Sequence, residues 1–268
     1  MSVMAPNPPT VQPFDGLAAD YDSSFSRGEI GRVVRARVWR RARAAFGTGD
    51  RVLDLGCGTG EDAIRLARDG VNVVATDPSG DMVRIARGKV AAAGLTDRVD
   101  VRRLAIEDLT VGSATDLMDL DGVLSDFGPL NCVEDLGGVA EELARRMRPG
   151  AKALLCVMGP VVPWEWVWFL GHGQLGKAIR RLRPGGNPWR GITIRYPTIG
   201  TLRKAFHESF RVTRLSAIGV FVPPSYAEPW AARHPRLLRR LDRWEQAVET
   251  LWPFPWLADH YLIELECR

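Results

Sequence analysis

The strongest chemical pattern in this 268-residue chain is Val52-Leu53-Asp54-Leu55-Gly56-Cys57-Gly58-Thr59-Gly60, an apolar run entering a glycine turn that opens a helical segment. Glycines at alternate positions let the backbone approach a ligand closely, and the N-terminus of the following helix adds N–H donors and positive potential. A nucleotide-like cofactor is implied. The spacing of Gly56, Gly58 and Gly60 departs from the Gly-x-Gly-x-x-Gly that cradles a pyrophosphate in dinucleotide folds. Asp54, just before the turn, would repel a pyrophosphate and suits a cationic ligand. Asp77 ends the next apolar run, where a carboxylate can accept hydrogen bonds from a ribose diol in either cofactor class.

Two side chains are candidates for proton transfer, Asp126 and His260, the latter beside Asp259 at the head of the last strand. His172, His207 and His234 read as structural, since none has a triad-like neighbour in sequence. Asp126-Phe127-Gly128 imitates the metal-binding tripeptide of kinases, but no phosphate-covering loop, strand lysine or His-Arg-Asp accompanies it. Cys57, Cys132, Cys156 and Cys267 are widely spaced, with no partner histidines, so no metal site and no disulfide is expected; a reducing, cytoplasmic setting follows. Trp164, Trp166, Trp168 and Phe169 form an aromatic segment that reads as core, as a lid over an apolar acceptor, or as an interfacial membrane element with Lys177, Arg180, Arg181 and Arg183. Its place directly after the fifth strand favours the lid, with Trp164, Trp168 and Phe169 binding substrate, because ligands of open α/β sheets sit beyond the carboxyl ends of strands.

The elements that must position these residues alternate. Apolar strands at 51–55, 71–76, 99–104, 122–125 and 151–158 are separated by helical segments at 61–69, 79–93 and 133–147, after a first helix over 30–46. Buried, non-alternating strands of this kind predict a parallel sheet with helices on both faces. Past Gly159 the pattern breaks, then resumes with a helix over 198–207, a long strand over 210–221, a helix over 231–251 and a strand over 261–266. The chain reads as one domain over 1–268, with a flexible start at 1–13 and a cap inserted at 160–190. Its 46% hydrophobic content can fill such a core, and a formal charge of +4 from 36 basic and 32 acidic residues is a modest excess that says little by itself about an anionic partner; a nucleic-acid partner is not expected. Arg233, Arg236, Arg239, Arg240 and Arg243 read as the solvated face of a helix. There is no signal peptide and no apolar run near the roughly 20 residues that cross a bilayer, leaving peripheral membrane contact open.

Taken together, Asp54 to Gly60 and Val74-Ala75-Thr76-Asp77-Pro78-Ser79-Gly80-Asp81-Met82 resemble the class I, Rossmann-like S-adenosylmethionine-dependent methyltransferase family. Ile106-Glu107-Asp108-Leu109, Gly122 to Phe127 and Leu143 to Gly150 match further motifs in order. The resemblance implies a mostly parallel seven-stranded sheet of order 3-2-1-4-5-7-6 with strand seven antiparallel. It implies S-adenosylmethionine as cofactor and S-adenosylhomocysteine as product. Gly56, Gly58 and Gly60 would lie against the methionine part, Asp77 with Pro78 at the ribose, and Met82, Ile106 and Glu107 at the adenine. Ser125 and Phe127 would approach the methyl, and Phe14 to Asp22 would form a gate closed by Tyr21. Ala105 stands where the family often carries an acid that reads the adenine amino group.

The reaction so implied is methyl transfer to a small, largely apolar metabolite such as a lipid, isoprenoid, quinone-like compound or secondary metabolite. The alternative is a macromolecular methyltransferase acting on RNA or protein. Ser125-Asp126-Phe127-Gly128 does not match the Asp/Asn-Pro-Pro-Tyr motif of nucleic-acid amino methyltransferases.

Overall fold

Strands made of consecutive apolar residues need cover on both faces, and the computed structural model provides it. It describes residues 13–16, 18, 28–111 and 116–268. In chain order the strands are β1 (Arg51–Leu55), β2 (Asn72–Asp77), β3 (Val99–Arg103), β4 (Leu120–Ser125) and β5 (Met147–Met158), then a short hairpin β6 (Asn187–Trp189) and β7 (Ile192–Ile194), then β8 (Phe210–Ile218) and β9 (His260–Cys267). The main sheet has the order β3-β2-β1-β4-β5-β9-β8. Strands β1 to β5 pair in parallel, and β9 runs antiparallel between β5 and β8. With the hairpin set aside, this is the expected 3-2-1-4-5-7-6 order with the last strand reversed.

Successive side chains of a strand point to opposite faces, so each apolar pair feeds two cores. On one face, Val52, Leu124, Leu154 and Leu262 pack against helices α1 (Glu29–Ala45), α2 (Glu61–Arg68) and α3 (Gly80–Ala92). On the other, Leu53, Val123, Leu155 and Ile263 pack against α4 (Leu136–Arg146), and beyond the cap helix α5 (Pro163–Gly171) the chain adds α6 (Ile199–Phe206) to that side through Leu202 and Phe206. Asp135 caps α4 by accepting from the Gly138 N–H at 2.9 Å, which starts that helix later than its apolar pattern suggests.

The C-terminal helix expected over 231–251 is two helices, α7 (Glu228–Arg233) and α8 (Pro235–Val248). Pro235 has no N–H to continue the first, so the chain turns at His234. Strand β8 ends at Ile218 rather than continuing to Phe221, because the next backbone N–H groups are claimed by a side chain. The fully buried Glu245 of α8 accepts from Gly219 at 2.7 Å, Phe221 at 2.8 Å and Val222 at 3.0 Å, and pairs with Arg37 of α1 at 3.1 Å. One carboxylate thus ties the sheet end to two helices.

The insertion between β5 and α6 contains α5 and the hairpin, which straddles residue 190. Gly186 starts the hairpin at φ +91°, and a Cβ there would meet the Ile194 carbonyl oxygen at 2.4 Å, so only glycine fits.

Candidate functional site

The carboxyl ends of β1, β2 and β4 open into a cavity of about 520 Å³. Gly56 and Gly58 form its floor, in the left-handed region at φ +73° and +53°. A Cβ on Gly56 would lie 2.3 Å from Pro129 Cγ, whereas the space beyond Gly58 is open. Asp77, Pro78, Met82, Ile106 and Glu107 line the same cavity, as do Asp126 and Phe127. The Asp77 carboxylate accepts from Gly58 N–H at 3.0 Å and Ser79 N–H at 2.9 Å, so it fixes the glycine turn and keeps a lone pair on each oxygen for a ligand diol. Burial pushes its pKa up to about 6, against the pull of those two backbone donors, and Asp15 adds a like charge. Ser79 caps α3 through the Met82 N–H at 3.2 Å and donates to Asp15 at 2.6 Å, joining the N-terminal segment to the site.

Three of the expected cofactor residues lie behind this surface. Asp54 is buried beneath the turn, Gly60 caps α2 in a left-handed conformation close to Ala86, and Ser125 donates to the Leu55 carbonyl at 3.2 Å, holding β4 to β1. Tyr21, the expected gate, and residues 1–12 of the expected flexible start lie outside the described residues. Phe14 of the same gate segment does line the cavity, and its ring packs on Trp189 of the hairpin at 5.0 Å.

Beneath the turn, Asp54, Asp62 and Asp126 share one guanidinium, that of Arg35, which donates to Asp62. Trp39 Nε1 donates to the other Asp62 oxygen at 2.6 Å. Burial, then repulsion from Asp62, raises the pKa of Asp54 and Asp126 well above the carboxylate range, while Arg35 opposes the shift. Asp54 Oδ2 and both Asp126 oxygens accept no sound hydrogen bond among the described residues; the weak Cys156 thiol donor lies against Asp126. An unpaired buried ion costs several kcal/mol, so this cluster favours a cation nearby. A methionine moiety with its ammonium and sulfonium fits that donor-poor, acceptor-rich floor, and the nucleoside fits between Asp77 and Met82. The residues present therefore suit S-adenosylmethionine.

The far end of the cavity is apolar and aromatic. Met158, Trp189, Ile194 and Tyr196 line it, with Pro129, Cys132 and Val133 from the β4–α4 connection. Trp164, Trp168 and Phe169 do not reach it. Trp168 and Phe169 pack on Tyr226 at 5.4 and 5.2 Å, and Phe169 lies under Lys177 and Arg180. The cap's cavity wall is thus its hairpin, which single aromatics in a Pro/Gly-rich stretch do not announce.

A second cavity of about 410 Å³ adjoins the first, the two sharing Phe127, Met158 and Arg180. His260 lines it. His260 Nδ1 stands 3.1 Å from Asp259 Oδ2, its ring meets Phe127 edge-on at 5.2 Å, and its Nε2 has no protein partner among the described residues. Asp259 is held in turn by Arg181 at 2.5 Å, which also donates to Glu165 at 2.8 Å. Burial opposes the Asp259 charge, but Arg181 and His260 more than offset this and hold its pKa below the usual range. The other histidines have local work: His172, His207 and His234 each bond a carbonyl three or four residues earlier at a helix end, at 2.7, 2.7 and 2.9 Å. Among the described residues no cluster of His, Cys, Asp and Glu is arranged for a metal, and no helix is long and apolar enough to cross a membrane.

The chain is similar to known methyltransferases. The family model described as a methyltransferase domain matches residues 52–150. A demethylmenaquinone methyltransferase of Clavibacter sepedonicus is 33% identical over 151 residues, covering 56% of this chain and 58% of that protein. Across such curated relatives the chain spans 55–60% of their length. Among solved structures, an S-adenosylmethionine-dependent methyltransferase from Mesorhizobium loti superposes with a TM-score of 0.57 at 19% identity, covering 90% of this chain and all of that one. The cyclase SpnF superposes with 0.55 at 18% identity, covering 86% and 79%. These two likenesses show the fold alone. Residues 52–150 are thus a methyltransferase domain, carried on the sheet order and glycine turn of the class I, S-adenosylmethionine-dependent type.

Proposed function

We propose that the chain transfers a methyl group from S-adenosylmethionine to a small, quinone-like ring compound bearing a hydroxyl. The observation that carries this is one continuous cavity, polar at the Asp77 end and apolar and aromatic at the Met158, Trp189 and Tyr196 end. The names of the relatives, demethylmenaquinone methyltransferases, support the same acceptor class.

S-adenosylmethionine supplies a methyl already activated on a sulfonium, and its transfer leaves S-adenosylhomocysteine. The chain's own contribution is position, exclusion of water and the fate of one proton. Gly56 and Gly58 admit the cofactor, Asp77 orients its ribose, and Asp54 and Asp126 leave unpartnered acceptor oxygens beneath its cationic end. Phe127, at φ +53°, lines both cavities and meets the His260 ring edge-on at 5.2 Å, so an acceptor lying along it would reach His260 at one end and the cofactor's methyl at the other. Asp259 accepts the Nδ1–H of His260, which leaves Nε2 as a proton acceptor. The acceptor's O–H proton passes to Nε2; the electron pair left on oxygen, directly or through the ring carbon it activates, forms the new bond to the methyl. If carbon is methylated, the ring proton it displaces is then lost to water, the oxygen regains its proton from His260 Nε2, and aromaticity is restored.

The test is anaerobic incubation with methyl-labelled S-adenosylmethionine and a reduced naphthoquinone. A methylated naphthoquinol or its quinone is expected. Binding of S-adenosylhomocysteine without label transfer to any hydroxylated ring would contradict the acceptor, and absence of S-adenosylhomocysteine binding would contradict the whole reading.

A further inference from the structure

The insertion that walls the cavity turns a second face outward. Val167, Leu170, Leu175, Ile179 and Leu182 are 69%, 51%, 68%, 56% and 49% exposed. Five of the twelve large apolar side chains left exposed among the described residues therefore fall in one short stretch of the chain. The first two belong to α5; the others follow on the single turn Leu175–Ala178 and the bend after it, which packs against α5.

The charges of the insertion are one-sided. Residues 160–198 contain six basic side chains and one acid, Glu165. That acid is 1% exposed and already held by Arg180 at 2.6 Å and Arg181 at 2.8 Å. Arg195 pairs with Glu134 at 2.9 Å. Lys177, Arg183 and Arg190 remain exposed, with no ion pair among the described residues. Apolar side chains interleaved with unneutralised cations, and no exposed acid, suit a surface that is itself apolar beneath and anionic above. A nucleic acid would satisfy the cations but leave the apolar side chains in water. A second copy of the chain would bring the same cations against each other.

We propose that this cap face docks on an anionic lipid surface, with Val167, Leu170, Leu175 and Ile179 at the acyl boundary and Lys177, Arg183 and Arg190 at the phosphates. The same insertion supplies Trp189, Ile194 and Tyr196 to the cavity, so docking brings the apolar end of the site next to the membrane. The proposal goes beyond the methyl-transfer reading and does not require it.

The test is co-sedimentation of the full chain with vesicles of phosphatidylcholine alone and of phosphatidylcholine with phosphatidylglycerol, at low and high salt. Binding to the anionic vesicles is expected, at least about tenfold tighter than to neutral ones and weakened by salt. K177E/R183E lowers that affinity by about fivefold or more per charge. L175D/I179D removes it, and both variants keep the wild-type circular dichroism and S-adenosylhomocysteine affinity. No binding to anionic vesicles, or equal binding by both variants, overturns the proposal. So does a wild-type dimer that L175D/I179D converts to monomer, since the face would then belong to a second copy.

Discussion

The cofactor end and the acceptor end of this molecule are built by different means. At the cofactor end, function rests on backbone: left-handed Gly56 and Gly58, N–H groups tied to Asp77, and a helix start. These parts lie within a few residues of one another, or one β-α-β step apart. At the acceptor end it rests on side chains brought together from distant segments: Phe14, Phe127, Met158, Trp189, Tyr196 and the Asp259–His260 pair. Backbone-built sites leave a strict local signature because few residues tolerate the conformation, whereas a side-chain chamber constrains each position loosely and leaves a weak one, so that Met158, Trp189 and Tyr196 pass unnoticed in the sequence.

This contrast can be broken by substitutions that separate the two ends. The largest effect is expected for H260Q, which keeps a polar side chain of similar reach but no proton acceptor of suitable basicity. Methyl transfer to a naphthoquinol should fall about 10²–10⁴-fold, with S-adenosylhomocysteine affinity within about twofold of wild type. If both fall together, His260 serves the fold and the two ends are not separable. The mirror case is D77A. Losing charge-assisted hydrogen bonds to a diol should weaken S-adenosylhomocysteine by about 10–100-fold in calorimetry, and unchanged affinity would move the ribose elsewhere. Next is W189A against W164A: the first should raise the Michaelis constant for the naphthoquinol about tenfold, and the second should leave it unchanged. Equal effects would return substrate binding to α5.

The smallest effect concerns pH. The ionised Asp77 is the better acceptor for a diol, so bound cofactor favours the ionised form and lowers a pKa that burial has pushed up to about 6. Cofactor affinity should therefore weaken as pH falls through about 6, by up to about tenfold per unit, and this dependence should be absent in D77N. In the free protein the sign is opposite. A carboxyl with a raised folded pKa binds its proton more tightly when folded, so its contribution to stability declines as pH rises from the unfolded value toward 6.

A sheet covered on both faces is legible in the sequence because consecutive apolar residues such as Leu154-Leu155 and Leu262-Ile263 must be buried on two faces, whereas its order and reversed last strand are implied only by the family resemblance. Gly56, Gly58 and Asp77 stand out by the glycine spacing and the strand end, Met82 and Glu107 only through the family resemblance, and all five line the cavity. Asp54, Gly60 and Ser125 carry the motif yet sit behind the cavity: a motif records what the turn needs in order to form as well as what touches the ligand. The break at His234-Pro235 is written in the proline but masked by the apolar periodicity on either side. Trp189 and Tyr196 could not be singled out, since their place depends on a hairpin fixed by Gly186 against Ile194. The tryptophans of α5 drew attention by number, but the packing of Trp168 and Phe169 on Tyr226, away from the cavity, is decided by tertiary structure.

The central claim is that one cavity holds S-adenosylmethionine beside a small apolar acceptor. It is tested most directly by incubating the protein with methyl-labelled S-adenosylmethionine and fractionated cell extract, then following the label into organic-soluble, aqueous, RNA and protein fractions. Label in an organic-soluble small molecule, lost in H260Q and in D77A, is the predicted result. Label confined to RNA or protein would contradict the acceptor and point instead to the exposed arginines of α8 as a macromolecular contact.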